Sequence, residues 1–126
     1  RKRVKKIASL IVACSIVTAL FSFSASAGSN SVLSTYNGLA YRGYVRISSN
    51  TGYASLEYDT SAQLKVMLSV RWTDESDSSY NTNQSNQRTG TSVDVYWSPD
   101  AGEIASRATG YYYINGINIK SCTATA

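Results

Sequence analysis

From Leu39 onward, apolar and polar positions alternate with a period of two. Leu39, Tyr41, Val45 and Ile47 share one side, with Ala40, Arg42, Tyr44 and Arg46 between them. Ala54, Leu56 and Tyr58 alternate with Tyr53, Ser55, Glu57 and Asp59. Leu64, Val66, Leu68, Val70 and Trp72 alternate with Gln63, Lys65, Met67, Ser69 and Arg71, and Val93, Val95 and Trp97 with Asp94 and Tyr96. This is the period of a half-buried strand, and no window carries the i, i+3, i+4 spacing of a helix. Turn residues separate the runs: Ser49-Asn50-Thr51-Gly52, Thr60-Ser61-Ala62 and Ser98-Pro99-Asp100-Ala101-Gly102. The pattern predicts strands at about 39–48, 52–59, 63–72, 92–97, 104–114 and 117–125, with Ser31 to Tyr36 as an optional seventh. The expected fold is all-β, a small antiparallel β-sandwich or barrel of six to seven strands.

The last two strands meet at Asn115-Gly116, which supplies the positive φ angles of a two-residue type I′ turn. That turn sets Ile114 against Ile117, Tyr113 against Asn118, Tyr112 against Ile119 and Tyr111 against Lys120. The expected core face then carries Ile114, Ile117, Tyr112 and Ile119, and the outer face carries Tyr111, Tyr113, Asn118, Lys120 and Cys122.

Residues 73–91 contain no aliphatic side chain and one aromatic, Tyr80. So long a polar stretch in a compact domain reads as a mobile loop, a functional loop or a hidden polar edge strand.

Ahead of the alternating region, Arg1-Lys2-Arg3-Val4-Lys5-Lys6 leads into residues 7–23 without a charge, then Ser24-Ala25-Ser26-Ala27. A basic stretch, an apolar stretch and small residues at the cut are the parts of a secretory signal peptide. The expectation is an N-terminal signal helix over 1–27, cleaved after Ala27, and a secreted, extracellular domain over 28–126. Two alternatives stand beside it. Ile11-Val12-Ala13-Cys14 resembles a bacterial lipobox, although Ser15 to Phe23 is too apolar for the usual tether. The apolar stretch could also remain as an anchor, although it falls short of a span of about 20 residues.

Removing residues 1–27 takes five of the 12 basic residues and leaves all 8 acidic ones, so the remaining net charge is −1. A nucleic-acid partner needs a basic patch, and that charge balance argues against one. Cys14 leaves as well, so Cys122 has no partner within the domain; an unpaired secreted cysteine suggests a Cys122-linked dimer or a tolerated thiol. No amphipathic helix in 28–126 suggests membrane insertion of the mature domain.

The chain has no His, which removes the usual general base and the commonest metal ligand. Asp74, Glu75 and Asp77, with Asp100 and Glu103, match no calcium-loop spacing, so no metal or cofactor is expected. Glu57 and Asp59 share an outward face, where two carboxylates could in principle cleave glycosides. Arg42, Arg46, Lys65 and Arg71 on neighbouring strands offer them ordinary cross-strand partners instead. No catalytic residue is assigned.

Tyrosine is the compositional excess: all ten lie beyond residue 27. Alternation sends Tyr44, Tyr53, Tyr96, Tyr111 and Tyr113 outward, where a flat ring with a hydroxyl suits sugar stacking or a polar protein contact. The layout resembles that of many small exported proteins of Gram-positive bacteria, and some secreted bacteriocins share it. The reading is a secreted, non-enzymatic bacterial protein binding a cell-surface glycan or protein through those five tyrosines. The alternatives are a bacteriocin-like antimicrobial effector acting through 73–91, and a structural matrix component dimerised through Cys122.

Overall fold

The computed structural model describes residues 28–48 and 51–126, and none of them is helical. The proposed signal segment lies outside the described residues. Six strands follow in chain order: β1 (Ser29–Tyr36), β2 (Leu39–Ile47), β3 (Gly52–Thr73), β4 (Ser79–Trp97), β5 (Ile104–Ile114) and β6 (Ile117–Thr125). All neighbouring pairs are antiparallel, and the strands form one sheet rather than two facing ones.

The sheet curls because β3 serves two sets of neighbours. Residues 52–57 lie between β2 and β4, and residues 64–73 lie between β5 and β4. Since β4 follows β3 throughout, β2 and β5 share the opposite edge and splay apart where β3 bends. At that bend, on the β4 side, residues 58–61 of β3 stand against Thr91 alone. Extra residues on one strand of a pair bend it and raise its twist. The far ends then meet: the Gly28 N–H donates to the Thr125 carbonyl (2.8 Å), and Asn30 Nδ2 donates to the Thr123 carbonyl (3.0 Å). The result is a nearly closed, barrel-like sheet.

Its interior is the apolar parity of the sequence. Tyr41, Val45, Ile47, Ala54, Leu56, Tyr58, Leu64, Val66, Leu68, Val70, Val93, Val95 and Trp97 are all buried, joined by Ala105, Ala108, Tyr112, Ile114 and Ala124. Each fully buried Leu or Val stabilises the fold by about 1.5–3 kcal/mol relative to exposure. Tyr112 is the largest of the fully buried side chains, and two glycines make room for it. A Cβ on Gly43 would overlap the Tyr112 ring, and one on Gly110 would come within 2.5 Å of its hydroxyl oxygen.

Of the readings offered for residues 73–91, the polar edge strand holds and the loop does not: only residues 74–78 turn, and β4, which begins at Ser79, pairs with β3 alone. Two other expectations do not hold. The runs at 52–59 and 63–72 are one continuous strand, with Thr60-Ser61-Ala62 at its bend instead of in a turn. In the last hairpin Asn115 and Gly116 do take positive φ (51° and 82°) and Ile114 does face Ile117. The register then shifts by one residue, so that Tyr112 faces Lys120 and Gly110 faces Cys122. Beyond that bulge the faces of β6 exchange. Cys122 and Ala124 turn toward the core, while Ile117 is 55% exposed and Ile119 only partly buried.

Candidate functional site

The outward face of β2, β3 and β4 carries a row of tyrosines because three strands in register place side chains of equal parity together. Arg46 faces Tyr53, and Tyr53 faces Tyr96; Tyr44 sits one pair along, opposite Ser55. The ring centroids of Tyr44 and Tyr53 are 6.1 Å apart, and those of Tyr53 and Tyr96 are 4.7 Å apart at an interplanar angle of 47°. Both spacings are those of interacting aromatic pairs. Guanidinium groups flank the row, Arg46 at 5.4 Å from the Tyr53 centroid and Arg42 at 5.8 Å from that of Tyr44. Tyr44 and Tyr53 are half-buried, whereas Tyr96 at the outer strand is 59% exposed.

Packing within the row tunes its charge. Partial burial pushes the Tyr53 hydroxyl above its ordinary pKa, with Ser55 opposing by a hydrogen bond and Asp94, Tyr96 and Glu57 adding to the rise. The hydroxyl therefore stays a neutral donor and acceptor across physiological pH. Arg42 Nε lies 3.2 Å from Glu57 Oε1, an ion pair by distance but without the alignment of a hydrogen bond. Glu57 is thus held by a cation, which suits a surface charge pair better than an acid–base role.

Tyr111 and Tyr113 belong to a different place. They lie on β5, half-buried, paired with Met67 and Lys65 in the second half of β3. Lys65 Nζ stands 5.1 Å from the Tyr113 centroid. The five tyrosines proposed together therefore fall into two groups, three on the β2–β3–β4 face and two beyond the bend.

A further feature escaped the sequence reading. Trp72 and Tyr80 stack at 4.7 Å and 28°, and Trp72 Nε1 donates to Thr82 Oγ1 (2.8 Å). With Asp74, Glu75, Ser76, Ala101 and Glu103 they line an open cleft of about 400 Å³ at one end of the sheet. The carboxylates there are largely engaged by their own turns. Asp74 Oδ1 accepts from the Ser76 N–H, the Ser76 hydroxyl and the Ser78 N–H, and Glu103 Oε1 accepts from the Asp100 N–H. Among the described residues no three His, Cys, Asp or Glu side chains are placed to hold a metal ion. The cleft became visible only once residues 79–97 paired with β3 and set Tyr80 opposite Trp72.

Compared with protein-family models, curated proteins and solved structures, the chain matches none of them.

Proposed function

We propose that residues 28–126 are the mature part of an exported extracellular protein, released by cleavage after Ala27, that binds a cell-surface glycan or protein without catalysing a reaction. The contact surface is the β2–β3–β4 face centred on Tyr44, Tyr53 and Tyr96. One observation carries the reading: three tyrosine rings in successive contact across three strands, with Tyr53 between Tyr44 and Tyr96, flanked by the two arginines. Rings already packed against one another lose little freedom on binding, and each keeps a hydroxyl for a polar partner. Tyr111 and Tyr113, with Lys65, form a secondary contact.

The test is sedimentation of the protein, purified from cells expressing the full chain, with isolated cell walls and insoluble polysaccharides at low and high salt. Binding should resist salt and weaken at least about tenfold in Tyr53→Ser and Tyr96→Ser. Undiminished binding by both folded variants would sink the assignment of this face. Absence of binding to every polymer would favour a secreted bacteriocin-like effector, tested by growth inhibition of neighbouring strains.

A further inference from the structure

The two long arms of β3 are covered on one edge by β2 and β5 and on the other by β4. The β4 strand pairs with β3 alone among the described residues, so it is the open edge of an otherwise nearly closed sheet. Which of its backbone groups face outward follows from the turn next door. The Asn115 N–H donates to the Gln63 carbonyl (2.8 Å) and Asn115 Oδ1 accepts from the Gln63 N–H (3.2 Å). Both polar groups of Gln63 thus point toward the β5–β6 side. Alternation along a strand sends those of Leu64 toward β4, where Leu64 faces Arg88. Down the unbroken register, Arg88, Asn86, Gln84 and Thr82 exchange hydrogen bonds with β3. Asn81, Asn83, Ser85 and Gln87 aim their N–H and C=O groups at the open edge. Two contacts agree with this assignment. Arg71, of odd parity with Gln63, offers its carbonyl to Ser106 Oγ of β5 (3.3 Å), and the Gln87 N–H is taken by Asn86 Oδ1 (3.0 Å).

Asn86 divides this edge. Its Oδ1 occupies the Gln87 N–H while its Nδ2 donates to the Asp94 carbonyl (2.9 Å). A straight strand would separate residues eight apart by roughly 26 Å. The bond therefore closes a sharp bend, and one side chain engages one backbone group on each arm of the edge where they converge. Residues 81–85, Asn81-Thr82-Asn83-Gln84-Ser85, have no such cover. They carry no Lys, no Pro and no charge, which are the usual devices that keep an edge strand from pairing.

We propose that residues 81–85 pair antiparallel with the same residues of a second copy of this chain, about a two-fold axis through Asn83. In that register Asn83 faces Asn83 of the second copy and Asn81 faces Ser85, each residue of outward parity, so every exposed backbone group in 81–85 finds a complement. The same register brings Arg88, the only charged residue between Ser79 and Ser92, opposite Ser78 of the second copy. Ser78 ends the turn that carries Asp74, Glu75 and Asp77. Charge complementarity therefore selects a second copy of this chain, in this register, over an unrelated extended peptide. Because the contact is two-fold, each copy uses the same stretch of edge, and the pairing closes on itself at a dimer.

Sedimentation equilibrium under reducing conditions, on protein purified from cells expressing the full chain, measures this across chain concentrations up to about 1 mM, the range in which so small an interface associates. The expected result is a reversible monomer–dimer equilibrium that weakens as salt rises. Asn83→Pro removes an N–H that faces away from β3, so the fold should persist, checked by circular dichroism, while the dimer dissociation constant rises at least about tenfold. Arg88→Glu, which cannot disturb the backbone ladder, should also weaken the dimer. A protein that stays monomeric to the top of the range overturns the proposal, as does a dimer unchanged in both variants.

Discussion

The Tyr112 hydroxyl, at the centre of the barrel, lies 3.3 Å from Cys122 Sγ. The contact joins β5 to β6 across the bulge that follows the last turn, and it exists only because the bulge turns Cys122 inward. Burial, and then the neighbouring Cys122, push the Tyr112 hydroxyl far above its ordinary pKa, and burial pushes the Cys122 thiol up as well. Both groups are neutral in the folded protein. An intermolecular disulfide through Cys122 requires the Sγ to leave this contact and turn outward.

Cys122 is accordingly expected to alkylate slowly. Iodoacetamide at about pH 8 should modify the native protein at least about tenfold more slowly than the same chain in denaturant, because the thiolate is both scarce and shielded. Equal rates in the two states would show that the thiol is not held inside. The pH dependence follows from the upward shift. The stability associated with Cys122 is fully present below the ordinary thiol value of 9.0 and is lost as pH rises through the higher folded value.

Gly43 should be among the least tolerant positions in the chain. An added methyl would overlap the Tyr112 ring, which is fully buried and has no room to withdraw. Gly43→Ala is expected to cost about 1–3 kcal/mol by overpacking, read as a lower midpoint in chemical denaturation. Combined with Tyr112→Leu, the two costs should sum to less than their separate values, since the clash disappears with the ring. Strict additivity would place the penalty elsewhere.

The positions legible in the sequence were those where burial enforces parity. Val45, Leu56, Leu64, Val66, Leu68 and Val70 alternate because one face is in the core, and every one is fully buried. The β4 strand left no such trace. From Ser79 to Ser92 it is polar on both faces and is held by backbone pairing to β3, which has no periodic signature in side chains. The β1–β2 hairpin did carry a signal: Asn37-Gly38 repeats the dipeptide of the last turn, and both residues adopt positive φ (52° and 77°). The bulge beyond Tyr112 could not be read from the turn chemistry, which fixes the register at the turn and not past the next pair. That single shift reversed the expected face of Cys122, whereas Ile117 lies before it, beside the turn, and is exposed there. At the proposed site, parity did bring Tyr44, Tyr53 and Tyr96 outward together, but the bend in β3 that parts them from Tyr111 and Tyr113 depends on strand pairing.

The division of the tyrosines has its own consequence. If the β2–β3–β4 row is the contact surface, Tyr53→Ser should reduce wall or polysaccharide binding at least about tenfold, and Tyr111→Ser with Tyr113→Ser should reduce it less. The comparison is a binding isotherm for each folded variant. The opposite ranking would move the site to the β5 face beside Lys65.

The turn between β3 and β4 is expected to be acid-sensitive. Asp74 Oδ1 accepts from the Ser76 hydroxyl (2.8 Å), the Ser76 N–H (2.9 Å) and the Ser78 N–H (3.0 Å), so its charged form holds the turn closed. The Ser76 hydroxyl is the largest of the causes that lower the Asp74 pKa below 3.8, against a smaller opposing effect of burial. A lowered folded value means that this support is complete above the ordinary carboxylate pKa and is lost as pH falls through the folded one. Hydrogen-exchange protection of the Ser76 and Ser78 amides, taken relative to their intrinsic rates, should therefore fall below about pH 4. Over the same range the amides of Val66 and Leu68, in the buried stretch of β3, should keep theirs. Protection that is constant at Ser76 and Ser78 down to about pH 2 would mean that the Asp74 carboxylate does not hold the turn.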